Sequence, residues 1–158
     1  MKLRNLSKEI ILSGVLLAFV LFSFLFSLIC YESNRSGLRR TFIFPSADEG
    51  KYVIEYRNLS KNAVQGDIEY FIDELLLGSS LERTKMLFTA GTAVESCFER
   101  KGVLYLNLSD KLLEIGNGVV DIKDGVKLLE DNVKRNFPRI DSIELFIGGK
   151  YAFESQNL

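Results

Sequence analysis

Few residues in this chain have the type and spacing to do chemistry. There is no histidine, which removes Ser-His-Asp and Cys-His nucleophile arrangements at once. No serine is followed three residues later by a lysine, so the S-x-x-K nucleophile pattern is missing too. Two carboxylate pairs remain, Glu69 with Asp73 and Glu95 with Glu99. Acid–base catalysis needs two carboxyls converging on one pocket with separated pKa values, whereas Glu69 and Asp73 read as the solvated face of a helix. Gly148-Gly149-Lys150 lacks the earlier glycine of a phosphate loop, whose place Glu144 takes, and reads as a hairpin turn. Asp121 and Asp124-Gly125 lack the alternating acids and terminal glutamate of a calcium loop and read as helix capping. Cys30 and Cys97 cannot build a zinc site without histidine, and Cys97 reads as a small buried apolar residue. No catalytic residue, cofactor or metal ligand is assigned. Asn5, Asn34, Asn58 and Asn107 each open an N-x-S triplet. These would be glycan acceptors in a secreted eukaryotic chain and mean nothing in a bacterial one, the preferred reading.

The charge pattern points to a membrane. The net charge is −1 over 158 residues, but residues 1–40 carry +4 and the remainder −5. An acidic domain on a basic stem does not fit a nucleic-acid binder, which needs clustered Lys and Arg on its folded part. Ile10 to Cys30 is a run of 21 uncharged residues, long enough at about 1.5 Å per residue to cross a hydrocarbon core as a helix. Three readings compete. A cleaved signal wants a shorter run and small residues before the cut. A lipoprotein signal would use Cys30, but Ile29 precedes it. An uncleaved signal anchor needs neither feature and is preferred. The organisation is then a cytoplasmic tail at 1–9, an anchor (or lipoprotein signal) at 10–31, a linker at 32–40, a domain at 41–153 and a tail at 154–158. The expected location is the cell membrane, single-pass, with the C-terminal domain extracytoplasmic. The tail before the anchor is short, which favours a cytoplasmic N-terminus, although the positive-inside bias is slight.

The domain reads as α+β. Thr41–Phe44 and Tyr52–Arg57 form a hairpin around the turn residues Asp48-Glu49-Gly50. In the second strand Tyr52, Ile54 and Tyr56 share one face and Val53, Glu55 and Arg57 the other. Asp67–Leu77 is a helix with Ile68, Phe71, Ile72, Leu75 and Leu76 on one stripe and Gly78 at its C-terminal cap. Arg83–Ala90 is ambiguous, with Met86, Leu87 and Phe88 expected to be buried. Val94–Arg100 and Val103–Leu108 form the clearest hairpin, around Lys101-Gly102. A second helix, Asp121–Phe137, carries Ile122, Val126, Leu129, Val133 and Phe137 and stops at Pro138. Ser142–Ile147 and Lys150–Phe153 flank Gly148-Gly149. The order β-β-α-β-β-α-β implies a mostly antiparallel sheet with both helices on one face, behind one N-terminal transmembrane helix.

These segments resemble the GerMN domain, a family named from spore-germination and sporulation proteins. The residues that carry the resemblance are Phe42-Ile43-Phe44-Pro45, Val53 to Arg57, Glu74-Leu75-Leu76-Leu77-Gly78, Gly91-Thr92-Ala93-Val94, Gly102 to Ser109, Asn136-Phe137-Pro138 and Ile143 to Lys150. The match covers about residues 41–152. It implies an extracytoplasmic domain behind a transmembrane or lipoprotein anchor, similar to ring-building modules of envelope assemblies and not known as an enzyme. The chain departs from the family pattern at Gly78-Ser79, where Gly-Pro is usual, and has one such domain where the name-giving protein has two. A sporulation role therefore does not transfer with the fold.

With both helices on one sheet face, the other face is open. It should show Val53, Glu55, Arg57, Val103, Tyr105, Asn107, Glu144 and Phe146, and from these Arg57, Val103, Tyr105 and Phe146 are the interface candidates. The expected function is a non-enzymatic envelope module that assembles with a partner protein or another copy of itself. The alternative is a module binding cell-wall glycan or a small ligand, against which stands the lack of any tryptophan for sugar stacking.

Overall fold

The computed structural model describes residues 2–34, 37–48, 50–61, 63–114 and 116–152. They divide into two compact units, 1–36 and 37–158. The first is one helix, α1 (Lys2–Asn34). Its stretch Ile10–Tyr31 is 22 residues long and apolar enough to cross a membrane, and it fits a membrane anchor or a signal peptide.

The second unit begins with β1 (Gly37–Pro45) and β2 (Tyr52–Ser60), followed by α2 (Asp67–Leu76). Then come β3 (Val94–Arg100), β4 (Val103–Leu108), a short 3₁₀ turn at Asp110–Leu113, α3 (Ile122–Asn136), β5 (Ser142–Ile147) and β6 (Lys150–Tyr151). Both domain helices form where the apolar stripes lie. Asp121 caps α3 by accepting from Lys123 N at 2.9 Å, and Gly78 follows α2 with φ +87°, a conformation that a Cβ would strain. The stretch Arg83–Ala90 is irregular and makes only isolated bridges; Leu87 and Phe88 are buried as expected, whereas Met86 is only half-buried. It runs so close to α3 that a Cβ at Gly125 would stand 2.5 Å from Leu87 O, which explains a glycine inside that helix.

The expected single sheet is in fact two. β1 and β2 form a two-stranded antiparallel sheet, and β3-β4-β5-β6 a four-stranded one. Within the larger sheet β4 and β5 run parallel, with α3 as the crossover between them, as a parallel pair requires. β1 also begins at Gly37, inside the stretch read as linker, because Arg39 and Arg40 have work in the fold. Arg39 lies 4.3 Å from the centre of the Tyr56 ring.

Both sheets contribute one face to the same core. Phe42 and Phe44 from β1, Phe71 from α2, Phe137 from α3 and Leu104, Leu106 and Leu108 from β4 are all buried. The rings of Phe42 and Phe71 stack at 4.6 Å, and Phe137 meets Phe71 edge-on at 5.4 Å. Each such side chain stabilises the fold by about 1.5–3 kcal/mol on burial.

What keeps the two sheets apart is polar. On α3, Asn132 is completely buried. Its Oδ1 accepts from Ile43 N at 2.8 Å, and its Nδ2 donates to Ile43 O at 2.9 Å. One turn later Asn136 does the same to Thr41, with N to Oδ1 at 2.9 Å and Nδ2 to O at 2.6 Å. Two amides thus stand in for a neighbouring strand along the free edge of β1. Replacing Asn132 with Ala should cost roughly 2–4 kcal/mol, because two backbone groups lose their partners. Asn136→Ala should cost less, since that site is only half-buried. Urea unfolding of the detergent-solubilised chain, followed by tyrosine fluorescence, measures both.

Candidate interaction surface

β4 alternates strictly: Leu104, Leu106 and Leu108 face the core, and Val103, Tyr105 and Asn107 face away. Register carries that outer face across the sheet. Tyr105 pairs with Phe98 on β3 and with Glu144 on β5. Asn107 pairs with Phe146, which in turn pairs with Tyr151 on β6. The Phe98 and Tyr105 rings stack at 5.0 Å with planes 10° apart, and Phe146 and Tyr151 meet at 5.4 Å in a T-shape. Phe98 is 56% exposed. Asn107 ties the face together, with Nδ2 donating to Glu95 at 2.8 Å and Oδ1 accepting from Gly149 N at 3.0 Å. Glu144 bonds the Tyr151 hydroxyl and raises its pKa. The result is an open sheet face with two aromatic pairs and a carboxylate between them.

Val103, Tyr105 and Phe146 therefore do share one face, together with Asn107 and Glu144. Phe98 and Tyr151 join them and were not singled out from the sequence. Both sit on segments recognisable as strands, but their face follows only from cross-strand register. Arg57 does not join this face, and neither do Val53 and Glu55, because β2 belongs to the other sheet. The large apolar side chains that β2 exposes are Tyr52, Ile54 and Tyr56, at 64%, 49% and 56%. Glu55 and Arg57 turn inward.

The reason is the C-terminal end of α2. Arg57 donates to Glu74 O at 3.0 Å and to Gly78 O at 2.6 Å, carbonyls that the helix cannot satisfy itself. It also pairs with Glu55 at 2.7 Å and Glu74 at 3.3 Å and lies 4.8 Å from the centre of the Phe42 ring. Glu55 in turn accepts from the hydroxyls of Ser79 and Ser80 at 2.8 and 2.7 Å. Arg40 repeats this role on α3: it donates to Asn136 O at 2.7 Å and lies 4.2 Å from the centre of the Phe137 ring. Each domain helix thus ends on an arginine supplied by the hairpin.

Several of the residues weighed for chemistry have structural partners. Glu99 accepts from Arg139 at 2.8 Å, and Arg139 also pairs with Asp67 at 3.0 Å. Gln65 donates to Asp73 at 3.4 Å. Burial pushes the Cys97 thiol up to about 12, helped by Glu69, Asp73 and Asp67, so it stays protonated. Gly148 and Gly149 both have positive φ in the β5–β6 turn. Clefts among the described residues hold 240 Å³ beside Lys51 and Lys85, 200 Å³ beside Asp67 and Arg139, and 120 Å³ beside Leu87 and Phe88.

A family model described as "Germane: Sporulation and spore germination" matches residues 41–152. The tandem GerMN domains of the sporulation protein GerM from Bacillus subtilis are similar in structure, with TM-score 0.57 and 16% identity; the match covers 73% of this chain and 40% of that one. The first GerMN domain of the same protein gives TM-score 0.57 and 18% identity, covering 72% of this chain and 85% of that one. At these identities the likeness is one of fold. This chain thus spans two-fifths of the tandem structure. No curated protein matches the sequence.

Stability should depend on pH through Glu55. Its hydrogen bond from Arg57, then those from Ser80 and Ser79, hold its pKa at about 2, against 4.5 in the unfolded chain. The stabilisation is complete above about pH 4.5 and is lost as pH falls towards 2. Glu55→Gln should lower the urea midpoint at neutral pH and flatten its decline between pH 5 and 2.

Proposed function

Because the chain belongs to the Germane family of sporulation and spore-germination domains, we propose that it is a membrane-tethered docking module of the cell envelope. α1 holds it in the bilayer as a single-pass anchor with a short cytoplasmic tail. The domain stands outside the cytoplasm and binds another envelope protein through the open face of the four-stranded sheet. It acts by position and does no catalysis.

The observation that supports this reading is the aromatic face. Phe98, Tyr105, Phe146 and Tyr151 form two ring pairs on one rigid surface, with Glu144 and Asn107 between them. Aromatic anchors among polar neighbours are the composition of binding hot spots. The sheet behind them is packed on its other face, so the rings are preorganised and lose little entropy on docking. The uncharged run in α1 supports the anchor.

Two measurements test the reading. The full chain should stay in the membrane pellet after an alkaline carbonate wash; release into the supernatant would end the anchor. Tyr105→Ser combined with Phe146→Ser should reduce co-purification of envelope proteins from detergent extracts by at least about tenfold, the scale of one lost hot spot, with urea stability checked alongside. Unchanged recovery from a folded variant would rule this face out.

A further inference from the structure

β2 has a second edge, and the hydrogen-bond parity of the hairpin fixes which groups face it. Asn132 and Asn136 take the N–H and C=O of Ile43 and Thr41. Those residues therefore point away from β2, and Phe42 and Phe44 point towards it. Strands alternate in this respect, so Ile54 and Tyr56, opposite Ile43 and Thr41, direct their own N–H and C=O outward. Asn58, opposite Arg39, follows the same parity. Among the described residues, no group bonds these three outward backbones. The strand runs nine residues in unbroken register with β1, without bulge, proline or lysine. Those are among the devices that normally blunt an edge, and the inward-pointing charges Glu55 and Arg57 are the one such device the strand carries. Along it Tyr52, Ile54 and Tyr56 are exposed.

We propose that this edge pairs with the same edge of a second copy, antiparallel about a two-fold axis at Tyr56. Charge selects both partner and register. With Tyr56 opposite its copy, the Glu55–Arg57 pair of one chain lies against Arg57 and Glu55 of the other, so opposite charges meet across the axis. Centring on Glu55 or on Arg57 would instead set like charges opposite each other, which destabilises cross-strand pairs. In the favoured register Ile54 lies opposite Asn58 and Tyr52 opposite Ser60, and the three outward residues supply about six backbone hydrogen bonds. Two hairpins become one four-stranded sheet. A single strand pair is smaller than the ~1,200–2,000 Å² of a stable interface, so this contact is weak between free molecules. It gains weight where chains share a surface and the effective concentration is high. In that respect it rests on the anchor reading, and the experiment separates the two.

The full chain carrying Cys30→Ser and Cys97→Ala is reconstituted in phosphatidylcholine vesicles, flotation confirms its insertion, and single introduced cysteines are oxidised. Tyr56→Cys should form a covalent dimer, because directly opposed bonded residues lie about 5.5 Å apart. Tyr52→Cys should not, because the two copies of that position are more than roughly 20 Å apart. Mixing Tyr52→Cys chains with Ser60→Cys chains should restore the cross-link. Ile54→Lys, a change on an exposed position, should lower the Tyr56→Cys dimer at least roughly fivefold, as a charge does on an open edge. Equal cross-linking at 52 and 56, no cross-link at 56 in chains that float, or no response to Ile54→Lys would each overturn the pairing. Chains that fail to float would overturn the anchor instead.

Discussion

Two asparagine side chains hold this domain in its shape. A lone two-stranded hairpin is marginal in water, and β1 would leave its outer backbone groups bare. Asn132 and Asn136 close that edge from α3, four residues apart and therefore on one face of the helix. Each amide supplies a donor and an acceptor, the same two functions a strand offers. The contact is directional, which hydrophobic packing is not, and so it fixes the register of the hairpin against the helix. Arg40 and Arg57 then use the same hairpin to finish α3 and α2. Removing the amides would therefore undo more than one strand: it would also withdraw the arginines from the helix ends.

This arrangement decides which surfaces are left. With Glu55 and Arg57 turned towards α2, β2 shows Tyr52, Ile54 and Tyr56 outside. With the helices covering Leu104, Leu106 and Leu108, the larger sheet shows Phe98 and Tyr105 on its other side. Part of the apolar exposure in this domain is therefore gathered on a sheet face and along a strand edge, a pattern that marks interaction sites more than scattered residues do. The two differ in kind. The face offers side chains on a rigid plane, and the edge offers main-chain groups.

Much of the architecture was legible in local patterns. The stripes Ile68, Phe71, Ile72, Leu75 and Val126, Leu129, Val133, Phe137 gave both helices, and Gly78 and Asp121 gave their ends. The turn Lys101-Gly102 gave the β3–β4 hairpin. The buried face of β2 was not legible, because alternation says that two faces exist without saying which is inside. There the sequence has Tyr, Ile and Tyr against Val, Glu, Arg and Leu, and the more polar set went in because helix ends required charge. Asn132 and Asn136 gave no signal either, since a polar residue on a helix reads as solvated. The division into two sheets depends on them, so it could not be read. The parallel pairing of β4 with β5 is set by a crossover and is equally invisible to a local window. Of the candidate surface, the outer residues of β4 and β5 are readable from alternation, while Phe98 and Tyr151 need register, and Arg57 lies on the second sheet, whose separateness alternation does not reveal.

The parallel pairing has a consequence for how the chain reaches this state. β4 is complete as soon as residue 108 has been made, but its partner β5 begins only at Ser142, after the whole of α3. During synthesis the β3–β4 hairpin therefore waits with one long side open and its leucines uncovered. Long-range parallel pairing is slow compared with local hairpin formation, and unpaired strands of this kind are where nascent chains stick to one another. The stretch that supplies α3 and β5, Ile122 to Ile147, thus acts as the closing step of assembly, and a chain truncated before Ser142 would be left in that sticky, half-built form.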